Sequence, residues 1–117
     1  MHLIDEKPAP ELLDRIVAAV LRAFEVKEED LVSASKLQVL ANPRHAIAAI
    51  AVLQFRFSRQ DVALRLNRER STVYSSLNRF IGLYECDQSF RARLNEAWPG
   101  IHWEYILKLA KQSDTYY

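Results

Sequence analysis

Glycine is scarce in this sequence: two in 117 residues, alongside four prolines and a single cysteine. Each scarcity excludes something. A β-sandwich or barrel needs a turn signal every ten residues or so, which this composition does not supply. Neither GxxxxGK[ST] nor GxGxxG occurs, so no glycine-rich loop is present to cradle a nucleotide phosphate. One cysteine, Cys86, leaves no intramolecular disulfide and no multi-cysteine zinc site. With no activating histidine or basic pair beside it, Cys86 reads as a buried or half-buried structural thiol. No apolar run approaches the roughly 18 residues of a membrane span. Acids near the start argue against a signal peptide, so the cytosol is the expected compartment.

His2, His45 and His102 are far apart and show no metal-ligand spacing. No nucleophile–base pair or paired carboxylates stand out. The expectation is therefore a protein with no metal, no cofactor and no catalytic role. Half of the residues are hydrophobic and about a quarter are charged, the profile of one globular domain with one modest core.

The net charge of +1 points to no partner, but its distribution does. Residues 1–31 carry eight acids and four bases, whereas residues 56–79 carry six arginines against two acids. Lys36 and Arg44 lie in between with no acid near them in sequence. An arginine-rich zone in an otherwise acidic chain is the footprint of a phosphate-binding face, or of a solvated helix face with ordinary ion pairs.

Along the chain, residues 1–10 read as a flexible arm, 11–111 as one helical domain and 112–117 as a tail. Leu12, Leu13, Ile16, Val17, Val20, Leu21 and Phe24 give one helix with a single apolar stripe. Glu28–Leu31 suggests a short helical turn, and Ser33–Asn42 a polar connection. Pro43 fits the first turn of the next helix, which runs to about Phe57 and is apolar enough to be the central one. Ser58-Arg-Gln-Asp61 has the form of a capped helix start, and Asn67 suits a turn. A longer helix then begins near Glu69 or Arg70. Two further helices follow, separated by Pro99-Gly100 and contributing Trp98 and Trp103 to the core. No segment reads as a strand. The fold class is all-α, about six helices.

Residues 58–84 have the dimensions of a helix-turn-helix. Val73, Leu77, Phe80, Ile81 and Tyr84 mark the inward side of its second helix. Arg68, Thr72, Ser75 and Arg79 form a stripe roughly opposite. Small hydroxyls flanked by guanidiniums suit a major groove, where the small groups permit close approach and the arginines reach guanine edges or phosphates. Arg70, Ser71 and Thr72 bring the unpaired N–H groups of a helix start, which favour a phosphate. The plainer alternative is a surface helix of a generic bundle.

Three stretches together resemble one family. They are Phe24 to Lys36, with an acidic turn followed by a loop; Pro43-Arg44-His45, at an alanine-rich helix; and Arg68-Glu69-Arg70-Ser71-Thr72-Val73. In this order and spacing, with about one residue fewer just before the third, they resemble the C-terminal, origin-binding domain of the bacterial replication initiator DnaA, over roughly residues 11–98. The third stretch is similar to that family's Arg-Asp-His-[ST]-Thr-Val signature. The resemblance implies a Trp-repressor-like helix-turn-helix bundle that binds double-stranded DNA in the cytoplasm, associated with the nucleoid. It implies a role in replication initiation, its regulation or transcription control, with replication or transcription proteins as further partners.

By position, the resemblance assigns Lys36 to a minor-groove contact and Arg44 and His45 to backbone and base. It places Arg59 and Gln60 on phosphates, and Arg68, Glu69, Arg70, Ser71, Thr72, Ser75 and Arg79 along the recognition helix. Three departures accompany it. The loop keeps one base, Lys36; Glu69-Arg70 stand where the family has Asp-His; and Val52 replaces a base late in the long helix. The family's ATPase module has no counterpart in the sequence. The alternative reading is a helical adaptor that docks an acidic protein partner through its arginines.

Overall fold

The computed structural model describes residues 7–35 and 37–112. Among the described residues, seven α-helices fold around one core: α1 (Pro10–Phe24), α2 (Glu28–Leu31), α3 (Gln38–Ala48), α4 (Arg59–Leu66), α5 (Arg70–Cys86), α6 (Gln88–Ala97) and α7 (Trp103–Gln112). The described residues contain no strand, as the composition implies. The expected roles of His2, of Lys36 and of most of the C-terminal tail fall outside the described residues.

Helix α1 forms because its apolar residues recur at helical spacing, and it buries Leu13, Ile16, Val17 and Val20 against α3 and α6. It stops at Glu25, which takes the left-handed conformation at φ 57°. Helix α3 is the central one: Ala46 through Ala51 are all fully buried. It continues as a π-helical turn over Ala49–Gln54, in which the Phe55 N–H donates to the carbonyl of Ile50 at 3.3 Å.

The start of α3 corrects the sequence reading. Pro43 lies inside the helix, not in its first turn, because the helix begins at Gln38. Starting earlier buries Leu40, at 8% exposure, and Pro43 itself. That burial outweighs the one helical hydrogen bond which proline cannot donate.

Helices α6 and α7 close the bottom of the core. Trp103 is 1% exposed and stacks at a tilt on Phe80, with ring centroids 4.9 Å apart. Trp98 is half-buried edge-on against Phe55. Cys86 departs from expectation: it is exposed at the last residue of α5. The buried stripe of that helix passes through Phe80 and Tyr84, and position 86 lies to one side of it.

Candidate nucleic-acid interface

The helix-turn-helix is built locally before it is packed. Ser58 caps α4, its hydroxyl accepting from the Asp61 N–H at 3.0 Å. Val62, Ala63 and Leu66 then turn inward and are buried. Asn67 ends the helix at φ 56°, a conformation asparagine tolerates better than most residues. The Arg68 N–H closes the turn on the carbonyl of Ala63 at 2.8 Å. Helix α5 starts at Arg70 with Glu69 as its N-cap, and the Glu69 side chain makes no capping bond.

Helix α5 buries Val73, Ser76, Leu77, Phe80 and Tyr84. Its other side shows Arg70, Ser71, Thr72, Ser75, Asn78 and Arg79, all exposed. The Ser75 hydroxyl donates to the Ser71 carbonyl at 3.3 Å, so its methylene and oxygen lie close to the helix surface. Gln60, Arg68, Glu69, Arg70 and Thr72 line one open cleft of about 580 Å³ at the mouth of the helix. Gln60, Arg68, Glu69, Arg70 and Thr72 therefore come together, whereas Ser71, Ser75 and Arg79 do not line this cleft. Another cleft, about 600 Å³, lies elsewhere, between Lys7–Pro10 and α4, and none of the candidates lines it.

The arginines divide into distinct environments. Arg59 lies over the ring of Tyr74, a residue of α5 that the sequence reading passed over. Arg65 turns away from the face, binding Asp14 at 2.9 Å and Glu28 at 2.6 Å, and so ties α4 to α1 and α2. Arg70 and Arg79 are exposed and make no ion pair among the described residues.

Arg44 requires a correction of placement. It is 7% exposed and sits beneath the chain that joins α2 to α3, not on an outer face. Its guanidinium donates to the carbonyls of Leu31 at 2.7 Å, Ser35 at 2.8 Å, Asp30 at 3.1 Å and Ser33 at 3.1 Å. Four backbone acceptors and burial leave it no outward-facing fork for a phosphate. Arg68 donates to the same Ser33 carbonyl and to the carbonyl of Asn67. Burial, and then the repulsion of Arg68, work against the charge of Arg44 and lower its pKa from the ordinary guanidinium value.

His45 is also set inward. Its Nδ1 is 2.9 Å from the hydroxyl of the buried Ser76, a bond that joins α3 to α5 under the exposed face. Burial first, then Arg79 and Arg44, push its pKa down to about 4, so the ring is neutral near pH 7.

No described helix is long and apolar enough to cross a membrane. The described residues hold no group of three or more His, Cys, Asp or Glu placed to bind a metal ion.

A protein family described as the bacterial DnaA protein helix-turn-helix matches residues 13–80. The match runs from α1 through the exposed face of α5. No curated protein and no solved structure matches the chain. On a match that spans more than half of its length, the chain belongs to the bacterial DnaA helix-turn-helix family.

Proposed function

We propose that this chain binds double-stranded DNA with sequence preference, in replication initiation, its regulation or transcription control. Helix α5 is the recognition helix and enters the major groove by its N-terminal half. The observation that carries this reading is the exposed run Arg70, Ser71, Thr72, Ser75 and Arg79 on a helix that turns Val73, Leu77, Phe80 and Tyr84 into the core. Short hydroxyls allow the helix axis to approach the base edges, and the two free guanidiniums supply edge or phosphate contacts. Family membership supports DNA binding as the activity.

Roles then follow from position. Glu69 and Arg70, at the mouth of the helix, read bases. Thr72 and Ser75 meet base edges or thymine methyl groups. Gln60, Arg59 and Arg79 hold the phosphates on either side. His45 acts from below, by fixing α5 on α3.

Selection of bound duplexes from a random pool, followed by sequencing, tests the proposal. An enriched motif is expected, and affinity should fall with salt at a log–log slope of about −0.9 per neutralised phosphate. Salt sensitivity alone does not separate DNA from an acidic protein partner, because both are screened. A pool that shows no enrichment while binding persists would set this reading aside in favour of the adaptor.

A further inference from the structure

One cavity touches α5 from behind its outer face. Its volume is about 300 Å³, and it lies between the loop after α2, helix α3 and the first two turns of α5. Leu66 and Val73, both 2% exposed, give it apolar walls, with Ala34 on the loop side. Arg44, His45, Arg68, Thr72 and Ser76 supply its polar groups. A concave, partly apolar site with a few convergent polar groups is the usual form of a small-ligand site, and this volume suits a compact ligand.

The charge of the cavity is unbalanced. Arg44 and Arg68 both line it, and neither makes an ion pair among the described residues. Burial and the repulsion of Arg68 both work against the Arg44 cation, and no carboxylate among the described residues offsets them. A buried cation is ordinarily paired, because its lost hydration calls for a counter-charge. For Arg44 only backbone carbonyls fill that role. Arg68 is less committed. Its Nη1 donates to the Asn67 carbonyl and its Nη2 to that of Ser33, which occupies two of the five N–H groups of the fork. The Nε–H and the remaining Nη hydrogens meet no acceptor among the described residues.

We infer that this cavity is an effector site for a small organic carboxylate, whose anion pairs with Arg68 in the field of Arg44 and whose compact apolar body rests on Leu66 and Val73. A planar guanidinium fork matches a carboxylate, and Thr72 offers a hydroxyl beside it. The effector role rests on the DNA-binding reading above and gives that face a regulator. Arg68 and Thr72 line both this cavity and the cleft at the mouth of α5. A bound carboxylate therefore cancels a positive charge where the duplex needs one, so occupancy opposes DNA binding. Linkage makes the opposition mutual: the duplex lowers the affinity for the carboxylate by the same factor.

The probes are benzoate and 3-phenylpropionate, with benzamide as the neutral counterpart and inorganic phosphate as the small inorganic anion. Binding to the full chain is read without DNA from the NMR shifts of the Arg68 Nε–H and of the Thr72–Ser76 amides. Duplex affinity is then titrated with and without saturating probe at fixed ionic strength, which removes general screening. A carboxylate should saturate the site, and benzamide should not bind. Arg68→Gln and Ala34→Leu should each weaken that binding about tenfold or more, the first by removing the fork and the second by filling the cavity. Ala34 is exposed, so the larger side chain leaves the core intact. Arg15→Gln, which removes an exposed cation of α1, should bind the probe like the starting protein. The saturating carboxylate should weaken duplex binding about fivefold or more.

Benzamide binding as well as benzoate, or no saturation by either carboxylate, would overturn the inference. Phosphate binding in place of both carboxylates would overturn it too, and would mark the cavity as a slot for a backbone phosphate. A carboxylate that fills the cavity and leaves duplex affinity unchanged would overturn the effector role. An unmutated chain that binds no duplex fails the DNA-binding reading and the effector role with it, while the titration without DNA still decides whether the cavity takes a carboxylate.

Discussion

The guanidinium of Arg59 lies over the ring of Tyr74, its central carbon 4.4 Å from the ring centroid. Arg59 is the first residue of α4 and Tyr74 lies one turn into α5, so the contact crosses the two helices of the helix-turn-helix. A cation on an aromatic face contributes about 0.5–1 kcal/mol at a partly exposed site. Tyr74→Ala is expected to weaken duplex binding about two- to fivefold, equally for all sequences, because Arg59 loses its fixed aim. Tyr74→Phe keeps the ring and should bind like the starting protein. Fluorescence titration of both variants decides it: equal losses would trace the effect to the hydroxyl and not to the stacked cation.

The His45–Ser76 bond predicts a pH dependence of stability. An ordinary histidine titrates near 6.5, and His45 in the fold titrates near 4. Its folded pKa is lowered, so the unfolded chain binds the proton more readily. The contribution of His45 is complete above about pH 6.5 and is lost as pH falls toward 4. Between about pH 7 and pH 5 this amounts to roughly 1–2 kcal/mol. His45→Gln should flatten that part of the profile, measured by urea unfolding at both pH values. A variant with the same slope as the starting protein would place the titrating group elsewhere.

Glu69 and Arg70 are both exposed at the cleft that opens α5. Glutamate accepts from cytosine N4, and arginine prefers O6 and N7 of guanine, with a bidentate contact worth about 1–3 kcal/mol of discrimination. The joint replacement Glu69→Asp with Arg70→His, which restores the family's pair, should change the selected motif at adjacent positions toward fewer G·C pairs. An unchanged motif with binding intact would move specificity to Ser71, Thr72 and Ser75.

Trp103 is buried between Phe80 and Tyr84, at centroid distances of 4.9 and 6.2 Å. Trp103→Ala should cost about 3–5 kcal/mol, seen as a fall in melting temperature. Removing everything after Gln88 also takes Phe90 and Leu94 from the core and should be more damaging still. Trp103 lies outside the α5 face, so the motif selected by a folded Trp103→Phe variant should match that of the starting protein. A changed motif would mean that α7 shapes the reading surface.

The sequence makes the helix-turn-helix legible because its signals are local. Ser58 caps within three residues, Asn67 takes the left-handed turn, and the apolar stripe of α5 repeats at helical spacing. The exposed row from Arg70 to Arg79 follows from the same periodicity. Arg44 is not legible in this way: its acceptors are backbone carbonyls 9 to 14 residues away, and a carbonyl has no sequence signature. Tyr74 escapes notice because its stacking partner belongs to the preceding helix. Pro43 misleads because the local rule for proline gives way to the burial of Leu40, which depends on what α3 packs against. Cys86 reads as a buried thiol for want of an activating neighbour, but it stands at the last residue of α5, to one side of the stripe that buries Phe80 and Tyr84.

The π-helical turn at Ala49–Gln54 has a corollary for chain length. A π turn holds one residue more than an α turn needs, so it behaves as a single-residue insertion absorbed within a helix. Losing one residue there restores α geometry and leaves Ser58 and all that follows in their former register. Losing one residue from the three-residue turn Asn67–Glu69 has no such outlet and re-aims α5 as a whole. A melting and binding comparison of the chain lacking Gln54 with the chain lacking Asn67 should find the first folded and competent and the second not. A one-residue change in length is therefore expected to be absorbed at the end of α3, where the chain can grow or shrink without re-aiming α5.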